Sequence, residues 1–126
     1  MPIKRISSGS PYERKIGYSR AVVAGGFIYV AGTVAAGPDV PDDVTAQCQS
    51  ALNVIRAALA EAGAGLADVV RVTYMLPSRH DFPPCWPILA AAFGDNPPAG
   101  TMIECGLIDP KYKIEIEVTA LIPQTS

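Results

Sequence analysis

Glu115 and Glu117 stand two residues apart in a run where Lys113, Glu115, Glu117 and Thr119 alternate with Ile114, Ile116, Val118 and Ala120. A period of two places both carboxylates on one face of a strand. Held at a subunit interface, such a carboxylate can position water or move a proton. The same alternation also describes a solvated outer face, and periodicity leaves both readings open. The remaining candidates are weaker. His80, the single histidine, sits in Arg79-His80-Asp81 ahead of a helix, where Asp81 is expected to act as the capping residue. Asn96-Pro97-Pro98-Ala99-Gly100-Thr101 is a rigid approach to a strand, with Gly100 permitting close approach to the backbone. By itself that motif reads as a turn, and Gly32-Thr33 reads as a strand end.

Other chemistries find no support. The chain has no P-loop, no GxGxxG and no GxSxG, which removes phosphate cradles and a hydrolase elbow. Cys48, Cys85 and Cys105 are odd in number and never form CxxC, so they read as reduced buried thiols. With one histidine and no cysteine near it, no metal site is expected, and nothing calls for a cofactor. A formal charge of −2 and a pI near 5.2 lack the basic footprint of a nucleic-acid binder. No stretch approaches the roughly 18 apolar residues of a membrane span, and the N-terminal run lacks the apolar core of a secretory signal. A cytoplasmic location is therefore expected.

These side chains need elements to hold them. The chain is 126 residues long with 49% apolar and 17% charged residues, enough for one hydrophobic core and one domain over 1–126. Arg20 to Ala24 and Phe27 to Ala31 flank Gly25-Gly26, a hairpin signal, and Ile3 to Ile6 adds a short strand before them. Val44, Cys48, Ala51, Leu52, Ile55, Ala58, Leu59 and Ala62 draw one helical stripe. Pro41 and Asp42-Asp43 suit its first turn, and Gly63 its left-handed stop. Val69 to Leu76 reads as a strand closed by Pro77. Trp86, Leu89, Ala90 and Phe93 carry a second helix, started late by Pro83, Pro84 and Pro87 and stopped at Gly94. Thr101 to Leu107 and Lys113 to Ile122 complete the order β-β-β-α-β-α-β-β. Right-handed crossovers put both helices on one face of a mixed sheet of five to six strands. The uncovered apolar face predicts a homo-oligomer.

The motifs come in a set order: Gly26-Phe27-Ile28-Tyr29-Val30-Ala31-Gly32, then a helix from Gln47 to Ala62-Gly63, then Asp68-Val69-Val70-Arg71-Val72-Thr73-Tyr74-Met75. Asp81-Phe82, Phe93, Pro98-Ala99-Gly100-Thr101 and Ile114-Glu115-Ile116-Glu117 follow. In this order they resemble the Rid/YjgF family of imine and enamine deaminases. The similarity spans nearly the whole chain. It implies a chorismate-mutase-like α+β fold, a homotrimer, and sites between subunits that bind a small acid and add water to release ammonia.

Carried over by position, the resemblance implies that Glu115 is the catalytic glutamate and Tyr18 the pocket tyrosine. Ala31 stands where many members have serine, next to Gly32, and Trp86 where many have asparagine. Met102 stands at a position that is often cysteine. Gly100, beside Thr101, occupies the position of the arginine that grips the substrate carboxylate, so the chain is similar to a subgroup lacking it. Together these departures predict a more apolar pocket and a larger, less acidic ligand. Arg14, Arg20 and Arg71 remain open as sources of a replacement charge, from this subunit or another. The leading expectation is a small-molecule hydrolase of this class with non-standard substrate choice. A non-catalytic ligand-binding module comes second, and a ribonuclease last.

Overall fold

A computed structural model describes residues 2–124. Six strands form one sheet: β1 (Lys4–Ile6), β2 (Ala21–Ala24), β3 (Phe27–Thr33), β4 (Val69–Leu76), β5 (Ala99–Glu104) and β6 (Glu115–Leu121). Their order across the sheet is β1-β2-β3-β6-β4-β5, with β4 and β5 parallel and every other pair antiparallel. Gly25 and Gly26 close the β2–β3 hairpin with φ of 59° and 86°, the left-handed pair a two-residue loop requires.

Helix α2 (Val44–Glu61) buries the stripe read from the sequence and lies on β3 and β6. Leu52, Ile55 and Leu59 meet Ile28, Val30, Ile116 and Val118 in a core closed to solvent. Each such aliphatic side chain contributes about 1.5–3 kcal/mol on burial. Asp43, not Pro41, opens this helix, its carboxylate accepting from the Thr45 amide at 3.3 Å. Gly63 carries the left-handed φ of 83° that ends it.

Three expectations change. The described residues hold three α-helices, because α1 (Pro11–Ile16) precedes β2. Ser10 and Glu13 form its capping box, Pro11 occupies the first turn, and Gly17 stops it with a φ of 90°. Asp81 does not cap α3 (Trp86–Phe93). It ends a 3-10 turn at Arg79–Asp81, and a second at Pro83–Cys85 leads into α3, because prolines lack the amides a longer helix would use. The strand expected over Thr101–Leu107 runs instead from Ala99 to Glu104, in parallel register with β4.

Gln47 explains how a polar residue belongs inside this core. It is fully buried on α2, and its amide donates to the carbonyls of Pro41 (2.7 Å) and Lys111 (2.9 Å). Its carbonyl accepts from the Lys113 amide at 2.8 Å, which ties the approach to β6 onto the helix. Gln47→Leu leaves three backbone groups unpaired and is expected to cost about 3 kcal/mol or more. Urea unfolding checks this; a midpoint within error of wild type would mean that water replaces the amide. No helix among the described residues is long and apolar enough to cross a membrane.

Candidate active site

Glu115 opens β6 on the sheet face away from α2 and α3, beside Met75 of β4; Glu117 follows beside Thr73. Between Val30–Val118 and Thr33–Ile116, β3 spends two residues, Ala31 and Gly32, where β6 spends only Glu117. This is a β-bulge, a device that re-aims side chains next to functional sites. Thr33 tightens it by donating its hydroxyl to the Ala31 carbonyl at 2.7 Å.

Gly32 sits in the bulge for a steric reason. A Cβ there would collide with Oε2 of Glu115 and lie 3.0 Å from its Cδ. The carboxylate therefore occupies the space that a side chain at position 32 would fill. Half-buried in this niche, Glu115 has its pKa raised by desolvation, opposed by the positive charge of Arg20 and reinforced by the negative charge of Glu117.

Arg20 completes the cluster. It precedes β2 on the same face as Val22, and its Nη2 donates to the Gly32 carbonyl at 2.6 Å. Its Cζ lies 5.7 Å from the centre of the Tyr18 ring. Only 8% of Arg20 is exposed, and its Nε is buried without a hydrogen-bond partner.

An open groove of about 800 Å³ runs beside this cluster. Its floor includes Tyr29, Ala31 and Glu117, and its wall includes Arg14 and Tyr18, with Arg5 at the edge strand. Glu13 also borders the groove, but one of its oxygens already accepts from the amides of Ser8 and Ser10 and from the Ser8 hydroxyl. Burial works to raise its pKa, and those bonds outweigh it and bring the pKa down. Glu13 is thus the peg of α1, which holds the Tyr18 wall.

The residues singled out from the sequence divide into two groups. Tyr18 and Ala31 line the groove; Gly32 follows Ala31 and Glu115 packs against it, but neither of these two is a lining residue. Gly100 and Thr101 lie on β5, separated from β3 by β6 and β4, about 14 Å at the usual strand spacing. Thr101 shares the face of Glu117 through Thr73, whereas a Cβ on Gly100 would point to the helix side, 3.5 Å from Val72. Trp86 starts α3, 56% exposed, and meets the Phe82 ring edge-on at 6.1 Å. Within one protomer these three stand apart from the groove. His80 is exposed in its 3-10 turn, and no group of three His, Cys, Asp or Glu side chains gathers among the described residues. Of the three arginines left open, Arg20 reaches the cluster and Arg14 the groove wall, while Arg71 faces out beside Thr119 on β4.

The family model described as Endoribonuclease L-PSP matches residues 11–122. The chain belongs to the YjgF/Rid family. A solved YjgF/YER057c/UK114-family protein from Mycobacterium tuberculosis is 40% identical, with a TM-score of 0.89 over 96% of this chain and 100% of that one. A RutC family protein of Pyrococcus abyssi is 36% identical over 107 residues, 82% of this chain and 84% of its own. The rat protein named 2-iminobutanoate/2-iminopropanoate deaminase is 31% identical over 124 residues, 94% of this chain and 90% of its own. The six-stranded α+β sheet is thus the chorismate-mutase-like fold of the YjgF/Rid family.

Proposed function

We propose that this YjgF/Rid chain is a small-molecule hydrolase of the imine and enamine deaminase class with non-standard substrate choice. One observation carries the reading: a half-buried carboxylate, Glu115, with a raised pKa, seated over a gap that only glycine leaves. Raising a carboxyl towards the working pH suits it to take and return a proton. Water adds to the imine carbon as Glu115 accepts its proton. The carboxyl passes that proton to nitrogen, then transfers the proton of the new hydroxyl as the C–N bond breaks, leaving a ketone and ammonia. The rat relative's name belongs to the same reaction class.

In this reading the site is completed between subunits of a homotrimer. Tyr29, Leu121 and Ile103 leave the outer sheet face apolar and exposed, as a surface awaiting a neighbour would be. A neighbouring subunit is the natural source of the Gly100, Thr101 and Trp86 surfaces, which one protomer holds away from its own groove.

Ammonia release from 2-iminopropionate and bulkier imino acids, generated in situ, tests the proposal with wild type and Gly100→Arg. Wild-type acceleration of any of them supports it. Saturable binding with no release from any substrate would replace it with a non-catalytic binding module, the reading favoured by the glycine at position 100. Ribonuclease activity has the family model's description behind it, but the net charge of −2 and a single, exposed histidine, His80, argue against it.

A further inference from the structure

The charge at Arg20 is out of balance with its surroundings. An ionised guanidinium withdrawn from water requires a counter-ion or a full set of acceptors. Arg20 is more than nine-tenths buried, yet its one hydrogen bond goes to a neutral carbonyl, and its Nε has no partner. Glu115 lies near enough to feel its charge but makes no ion pair with it; among the described residues the ion pair is Arg79–Glu104, at the far edge of the sheet. The unmet demand lies one side chain from open space, because Tyr18 both lines the groove and stacks near the guanidinium. Arg5 and Arg14 border the same groove, and neither forms an ion pair among the described residues. Such an arrangement draws an anion inward.

We propose that Arg20 is the anion anchor of this site, holding the carboxylate of an acidic ligand beside Glu115. The planar fork of a guanidinium matches a carboxylate, and the unpartnered Nε is a donor left to use. Tyr18 then acts as the cover that shifts when the ligand enters. Arg20 bonds the Gly32 carbonyl and Glu115 fills the space beside the Gly32 Cα, so an acid gripped by Arg20 lies next to Glu115. The ligand is accordingly an acid, although the glycine at position 100 alone points to a less acidic one. This inference rests on the deaminase reading for its use of the cleft, but its test reads binding and not turnover.

The experiment titrates the full-length protein with 2-oxobutyrate, 3-phenylpyruvate and the uncharged 2-butanone, by calorimetry and by amide shifts. Wild type is expected to bind the keto acids in preference to the ketone. Arg20→Gln is expected to weaken the acids by roughly 10- to 100-fold without changing the ketone. Arg20→Lys keeps the charge and serves if Arg20→Gln does not fold; losing the fork, it is expected to bind several-fold more weakly than wild type. Glu115→Gln should keep acid binding. Acid affinity equal to wild type in the arginine variants, or no preference of wild type for acids, overturns the proposal. Arg20-dependent binding with no ammonia release from any imino acid sinks the deaminase reading and keeps the anchor. Ammonia release that survives Arg20→Gln unchanged does the reverse.

Discussion

Replacing Glu115 with glutamine is expected to slow ammonia release by about 10²- to 10⁴-fold, the usual range for a lost general base. The same change should leave the protein as stable as wild type at pH 7, or more so. The two effects separate because folding disfavours the ionised carboxyl: burial in the niche raises its pKa above the unfolded value. A carboxyl with a raised folded pKa contributes its stability fully below its unfolded pKa. That contribution is lost as pH rises through the folded pKa. Glutamine, which never ionises, escapes the loss, so its advantage is present at neutral pH and disappears below the ordinary glutamate range. Thermal unfolding at pH 7 and pH 4, run beside the ammonia assay, reads both. A variant as active as wild type would remove Glu115 from the chemistry. One much less stable at pH 7 would mean that the ionised form makes a stabilising contact. The wild-type rate should also fall with acid at a pH above the usual glutamate pKa of about 4.3.

Gly32→Ala tests the niche from its other side. The added methyl meets Oε2 of Glu115, the far end of a flexible side chain, so the carboxylate gives way before the sheet does. The structural cost is expected to stay near 1 kcal/mol, whereas displacing a catalytic group by about 1 Å costs on the order of 10²-fold in rate. Turnover and unfolding measured on one preparation compare the two. In Glu115→Gln the substitution should bring little further loss, since both changes remove one arrangement. Full activity in Gly32→Ala would show that the carboxylate has a second productive position. A loss that simply adds to that of Glu115→Gln would separate the two residues.

Much of the framework was legible in advance because its signals are local. The stripe from Val44 to Ala62 needs only the 3.6-residue period, and the alternation around Glu115 only the period of two. Gly25-Gly26 announces its hairpin through two left-handed residues in sequence. Helix α1 carries a local signal too, since Ser10, Pro11, Glu13 and Gly17 spell a cap, a first turn and a stop. Six residues are too few to show an apolar period, so periodicity alone does not reveal it. Asp81 shows the opposite case: a residue of cap type stands where a helix would begin, but the prolines after it postpone the helix.

The sequence by itself determined the sheet, the covering helices and the shared face of Glu115 and Glu117, because neighbours along the chain dictate conformation and side-chain direction. Tertiary structure alone decided which residues meet. Arg20 and Glu115 are 95 positions apart, and a bulge of one residue brings Gly32 between them. Gly100, which the resemblance assigns to the pocket, lies three strands away from β3 within one protomer. Strand order is set by how distant segments bury apolar faces together, a sum over the whole core that no local pattern records.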